Sequence, residues 1–573
     1  MSARWLDAIR NAALESGALQ GDEMKNPLTF RRLAPALLVV AFLAQPAVAD
    51  AAPPGYDGLV KLFEDWRDFE HPPLKDGAPD YTAATFERRQ AELKAYRDRL
   101  EAIDSSGWPV EARVDQALVR AEMNGFDFYV RVLKPWARDP AFYQSVWTEQ
   151  SDTPAHEGTV HHDVVEVWTY QFPLSRESET KLARELAIVP PLLAQARGNL
   201  TGNAHDLWVT GAGTMRGQVK ALDELDEKTA GSGRALRQAI AAARGATAEF
   251  ADWLDAQAAS KTGPSGIGQE NYDWMLKNVY LIPMTWQDEV DLLKRELARS
   301  VASLKLEEAR NASLPQLPVI ATPEEYQRRG NEAVTRFLEF LRKRDLYPMR
   351  DSMDAALRAR IGDYVPLETR NFFAIATHYE PLTLYTHFYH WWDLARMRDE
   401  PHASPIRRGP LLYNIWDSRA EGMATAMEEF MLHAGLFDDQ PRAKEIIWIM
   451  LAQRSARGLA SLYAQANVFD LKQAKAFQSQ FTPRGWMRPD LDLLGFEQQL
   501  YLRQPGYGTS YVTGKFLLDD LMRVRAQQLG ADFTLKRYFD EVNGAGMIPV
   551  PMIHWQLTGH ADENEALRAG RYP

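Results

Sequence analysis

Across residues 286–311 the apolar side chains Val290, Leu293, Leu297, Val301 and Leu304 recur at steps of three and four. That spacing places them on one face of an α-helix, and Thr285 followed by Asp288 predicts its N-terminal cap. The same periodicity occupies 81–103, 175–200, 233–258, 323–344, 419–435, 442–466 and 513–528. Alternating strand patterns are scarce. The run Ile548-Pro549-Val550-Pro551 reads as an extended loop, because proline removes ladder donors. The expected fold is mainly α, a large, bilobed helical body with little β structure. Breaks fall at 261–268, 311–323, 398–410 and 504–508, none long or polar enough for a flexible tether. A soft boundary near 311–323 divides an N-terminal half, 50–315, from a C-terminal half, 316–573.

With 573 residues, 45% of them hydrophobic, the chain can bury a large core. Its 78 acidic against 66 basic side chains give a net charge of -12 without a basic cluster, which argues against nucleic acid as a partner. Residues 24–49 carry the parts of a secretory signal: Lys25, Arg31 and Arg32, then an apolar stretch from Leu33 to Ala44, then Ala47-Val48-Ala49. The apolar stretch is short for a membrane span, which takes about 20 residues. Cleavage after Ala49 and a periplasmic or secreted protein are expected. Residues 1–23 precede this signal without resembling an n-region, as an early-assigned start would leave them. The count of 0 cysteines excludes disulfides, thiol catalysis and lipid attachment through cysteine in this sequence. No apolar run beyond the signal is long enough for a transmembrane segment.

Helical zinc peptidases set two histidines four residues apart with a glutamate beside the first, and no H-E-x-x-H occurs here. His156-Glu157 followed by His161-His162 is the nearest literal match, but a five-residue separation turns the imidazoles off a common helical face. His387-Phe388-Tyr389-His390, with His378 upstream and His402 downstream, is a second candidate, since residues at i and i+3 share a face. Its surroundings, Phe388, Tyr389, Trp391 and Trp392, equally suit a buried aromatic helix with hydrogen-bonded core histidines. Glu421, Thr425 and Glu428 form a third candidate stripe, opposite Met423, Met427, Phe430 and Ala434. Such a stripe is a metal ligand set if it faces a cleft and a solvated acidic face if it does not. A nucleophile elbow G-x-S-x-G is missing, and Gly263 to Gly268 lacks the basic residue of a phosphate loop.

Several segments, in order, resemble one bacterial family. They are Phe172-Pro173-Leu174-Ser175, the run 188–200, Gly268-Gln269-Glu270-Asn271-Tyr272 and Pro283-Met284-Thr285. Further on come Glu421-Gly422-Met423-Ala424 with Glu428, then Gln504-Pro505-Gly506 through Tyr511 and Gly514, and Gly546-Met547-Ile548-Pro549. The chain resembles the bacterial domain-of-unknown-function family 885 (DUF885), exported proteins similar to helical gluzincin-type zinc metallopeptidases. The resemblance implies a His-Glu pair ahead of the Glu421 helix. On the ungapped correspondence Tyr385 and Thr386 stand there, and neither can replace a zinc ligand or a carboxylate base. A further family histidine falls near Gln465. Glu421, counterpart of the third ligand, and Tyr511, similar to an oxyanion-binding tyrosine, are kept.

Three expectations follow from these residues. In the first, zinc chemistry is degenerate, no metal is bound, and a cleft holds a peptide, a small organic ligand or a partner. In the second, an active zinc hydrolase uses His387, His390 and Glu421, with Glu428 or Glu380 as base and Tyr511 at the developing charge. In the third, the aromatics Phe388 to Trp392 form a packing or apolar-ligand scaffold.

Overall fold

The computed structural model describes residues 55–155 and 164–560. The predicted signal, the residues before it and the His156 to His162 run lie outside the described residues. Helices dominate, and strand structure among the described residues is confined to two pairs. Leu74–Lys75 runs antiparallel to Ala78–Pro79, and Val146–Trp147 runs parallel to Val165–Glu166.

Local sequence sets most helix ends. Trp286–Arg310 opens on a reciprocal cap in which the Thr285 hydroxyl accepts from the Asp288 amide and the Asp288 carboxylate accepts from the Thr285 amide. Pro323–Arg344 matches its periodicity end to end. The predicted 175–200 helix divides into Arg176–Leu186 and Val189–Asn199, because Pro190 and Pro191 lack the amide protons that would continue it. The expected loop at 548–551 is corrected in its second half: Ile548 and Pro549 are outside any helix, but Val550–Thr558 is a helix. Pro551 sits in its first turn, where no intrahelical donor is needed.

One apolar core runs from Leu59 to Ile553 and crosses the 311–323 boundary without interruption. Trp286–Arg310 from the first half packs along Ala443–Gln465 from the second. At the centre, Asp417–His433 lies against Tyr507–Leu529 at a crossing of two glycines. A Cβ on Gly422 would stand 2.6 Å from the Gly514 Cα, and one on Gly514 would overlap the Ser418 carbonyl oxygen. Ala443–Gln465 joins them where Gly458 and Ser461 meet Gly508; a Cβ on Gly508 would stand 2.9 Å from that of Ser461. Three helices therefore touch at backbone distance, and the side chains flanking these glycines are pressed into one small space.

Candidate metal centre

His387 and His390 reach that space from a broken helix. Glu380 caps Pro381–Tyr385 by accepting from the Leu382 amide, and the chain turns at 386–388 before Tyr389–Asp399 begins. Thr383 and Thr386 reinforce the turn by donating their hydroxyls back to the carbonyls of Glu380 and Thr383. His387 thus lies in a turn and not on the continuous helical face expected for it. The two imidazoles still meet, with centroids 5.1 Å apart and planes at 76°.

Glu421, from the Asp417–His433 helix, completes the cluster. His390 Nε2 lies 3.1 Å and His387 Nε2 3.8 Å from the same oxygen, Glu421 Oε2. One donor atom from each residue falls within 4.8 Å of the other two. The exposures are 9% for His387, 4% for His390 and 1% for Glu421. The stripe Glu421, Thr425 and Glu428 is buried throughout, so the solvated acidic face is excluded.

A second ring of side chains fixes the first. Tyr507 donates its hydroxyl to Glu421 Oε1 at 2.5 Å, and the Tyr511 ring lies parallel to His387, 6.2 Å away at 11°. On the far side of His387, Nδ1 is 3.1 Å from Glu428 Oε1 and 3.2 Å from Arg454 Nη2. The ring thus faces both an acceptor and a donor, and whatever binds at Nε2 selects its tautomer. Arg454 also pairs with Glu428 at 2.6 Å. Behind His390, the buried Arg419 donates to Tyr389 and Asn543, tying that helix to the Glu421 helix.

Asp152, half-buried in the segment after the Val146–Trp147 strand, lies near enough for its charge to act on His390 and Glu421. Arg360 stacks on Trp391 at 3.3 Å and donates to Gln150 at 2.9 Å, which anchors this segment beside His390.

The electrostatics divide the cluster. Burial alone would pull the His390 imidazole down, but the carboxylates of Glu421 and Asp152 outweigh it and hold it up at about 9. Burial opposes charge on Glu421 too, yet His390 first, then His387 and the Tyr507 hydroxyl, bring it down to about 2. His387 is pushed well below the usual range by burial and by Arg454. Glu428 is pushed up to about 7 by burial, which Arg454 and Arg457 only partly offset. Without an ion, the centre is an imidazolium–carboxylate pair beside a neutral imidazole.

The remaining sequence candidates are placed elsewhere. Tyr385 donates to the Ile361 carbonyl and stacks on Phe388, so it points away from Glu421. Glu380 is committed to its cap and to Arg329 at 3.0 Å, which removes it as a base. His378 accepts from the Val365 amide and lies against the Ala374 carbonyl, and burial pulls it down to about 4. His402 is likewise engaged by the Gly544 carbonyl and the Ser404 amide. Gln465 clamps backbone, donating to the carbonyls of Tyr501 and Leu502 and accepting from the Ile267 amide. An open cavity of 710 Å³ near Trp486 and Tyr379 lies apart from the histidines. Its charges are paired with one another, Arg484 with Glu308 and Glu445, and Arg442 with Glu445. Sequence reading missed Tyr507, Arg454, Arg457 and Asp152. Tyr507 carried a signal, since it stands one helical turn before Tyr511.

A family model described as "Bacterial protein of unknown function (DUF885)" matches residues 67–373, more than half of the chain. That span ends before His387. Two solved structures share the fold, each with a TM-score of 0.62. The first, "a putative lipoprotein of unknown function" from Shewanella oneidensis, is 16% identical over 87% of this chain and 97% of its own. The second, "the putative lipoprotein" from Colwellia psychrerythraea, is 13% identical over 89% of this chain and 99% of its own. Among curated proteins no match was found.

Proposed function

We propose that this chain, which belongs to the bacterial DUF885 family, binds one zinc ion through His387, His390 and Glu421 and hydrolyses peptide-like amides outside the cytoplasm. The observation that carries this reading is the meeting of three buried donor atoms, within 4.8 Å of one another, from two separate chain segments. Two imidazoles and one carboxylate are a donor set of zinc hydrolases. Zinc–ligand bonds of about 2.0–2.1 Å need ligand atoms about 3.4 Å apart in a tetrahedron. The two histidine–Glu421 separations, 3.1 and 3.8 Å, lie either side of that value, and all three donor atoms fall within 4.8 Å. When bound, zinc acidifies a water and polarises a carbonyl.

The protein's own groups then take distinct roles. Glu428, expected as a base, faces His387 Nδ1 and pairs with Arg454, so it orients the imidazole. Tyr507 fixes the Glu421 carboxylate in the same way. Asp152 is left as the base, being a further carboxylate whose charge acts on His390 and Glu421. Tyr511 stands beside His387, where its hydroxyl can donate to a developing oxyanion. The predicted signal supports export, as does similarity to proteins described as lipoproteins.

A second reading, a peptide-binding cleft without metal, is favoured by one fact. His390 and Glu421 satisfy each other as an ion pair without any ion. Cleavage of a broad peptide library by zinc-loaded protein separates the two. Chelator-blocked cleavage that Asp152→Asn abolishes while zinc is retained is expected; melting shifts with peptides but no cleavage would establish the second reading instead.

A further inference from the structure

Arg454 and Arg457 lie one turn apart on Ala443–Gln465, and their side chains are 1% and 3% exposed. Each has a carboxylate partner, Glu428 at 2.6 Å and Glu497 at 2.8 Å. Those partners leave the guanidiniums incompletely used. Arg454 Nε and Nη1 and Arg457 Nε have no acceptor among the described residues, and the Thr425 hydroxyl between Glu421 and Glu428 is unpaired as well. A buried guanidinium donor without an acceptor carries a desolvation cost that nothing offsets. Two such groups on neighbouring turns are what an anion-binding pocket presents before its ligand arrives.

Their position relates them to the metal cluster. Arg454 Nη2 lies 3.2 Å from His387 Nδ1, and Arg457 covers the Tyr511 ring at 3.9 Å, a ring that also runs parallel to His387. An anion held by this pair would therefore lie next to side chains that themselves touch or stack on His387. His387 and Tyr511 are themselves buried beside the arginines, 9% and 8% exposed.

From this placement we infer that Arg454 and Arg457 form a carboxylate subsite, and that the substrates are peptides or N-acyl amino acids cleaved next to a free C-terminal carboxylate. The inference rests on the zinc hydrolase reading for its cleavage step and on the arginines alone for its binding step. Planar, two-pronged recognition by guanidinium suits a carboxylate, and a C-terminal amide offers neither the charge nor the second acceptor.

The test uses the full chain, zinc-loaded, with an N-acetyl dipeptide as free acid and as C-terminal amide. The expected result is a kcat/KM at least about 10-fold higher for the acid, the size of effect of losing a buried charged hydrogen bond. Arg457→Lys, which keeps the charge but not the fork, should lower that ratio with zinc stoichiometry unchanged. Equal or faster cleavage of the amide overturns the subsite. Should neither be cleaved, thermal melting with each compound decides: a shift with the acid alone upholds the subsite, and equal shifts or none overturn it. Failure of the metal reading is seen separately, as zinc content near zero, and leaves the melting comparison intact.

Discussion

Glu289 and Glu421 are both buried, both accept a tyrosine hydroxyl, and both contact the Tyr507–Leu529 helix, yet their acidities are shifted in opposite directions. Glu289, on Trp286–Arg310, accepts from Tyr272 at 2.7 Å and from Thr513 at 2.8 Å. Burial outweighs those bonds and pushes it up to about 7. Glu421 has His390 and His387 beside its tyrosine, and it falls to about 2 in spite of its burial. Burial with only neutral hydroxyl donors therefore leaves a core acid that still takes up a proton near neutral pH. Two convergent imidazoles turn the same residue type into an anion with the character of a ligand.

The comparison can be broken in four ways, taken from the largest expected effect. Zinc at about 1,000 times its Kd should stabilise the wild type by about 4 kcal/mol, and Glu421→Gln should lose all of that shift in thermal melts with and without chelator. A Glu289→Gln protein should keep it. Next, Gly514→Ala forces apart two helices in backbone contact and should cost about 1–3 kcal/mol or more in denaturant melts, loosening both clusters through the helix they share. An unchanged midpoint would mean that the crossing is not tight.

Glu428→Gln should weaken zinc binding about 10- to 100-fold in competition titrations while stoichiometry stays at one, as loss of an orienting carboxylate does. The smallest effect is in the pH dependence of the metal-free protein. Glu289 is raised above its ordinary 4.5, so its favourable contribution is complete below that value and is lost as pH rises through about 7. Glu421 is lowered, so its contribution is present above 4.5 and is lost as pH falls through about 2. Denaturant midpoints at about pH 5 and pH 8 should therefore fall for the wild type relative to Glu289→Gln. Parallel midpoints would contradict the assignment of Glu289 as a core acid that takes up a proton near neutral pH.

Helix periodicity was readable wherever one face is apolar, as Pro323–Arg344 shows, and caps such as Thr285 with Asp288 are local enough to survive folding. Proline was misread at Val550–Thr558, because the same missing amide proton suits a loop and a first helical turn alike. His387, His390 and Glu421 could be named from spacing and family likeness. What sequence could not supply was their burial. The stripe Glu421, Thr425 and Glu428 has the polarity of a solvated face and lies inside only because glycines 422, 458, 508 and 514 let three helices close over it. Arg454 and Asp152 escaped notice for the same reason, since nothing near them in sequence records that they meet His387 and His390.

The most direct test is elemental analysis of the purified chain after zinc loading and exhaustive dialysis, with His387→Ala and Glu421→Gln carried alongside. The His387, His390 and Glu421 geometry predicts about one zinc per wild-type chain and essentially none in either variant. A zinc-free wild type, or variants that retain the metal, would contradict it.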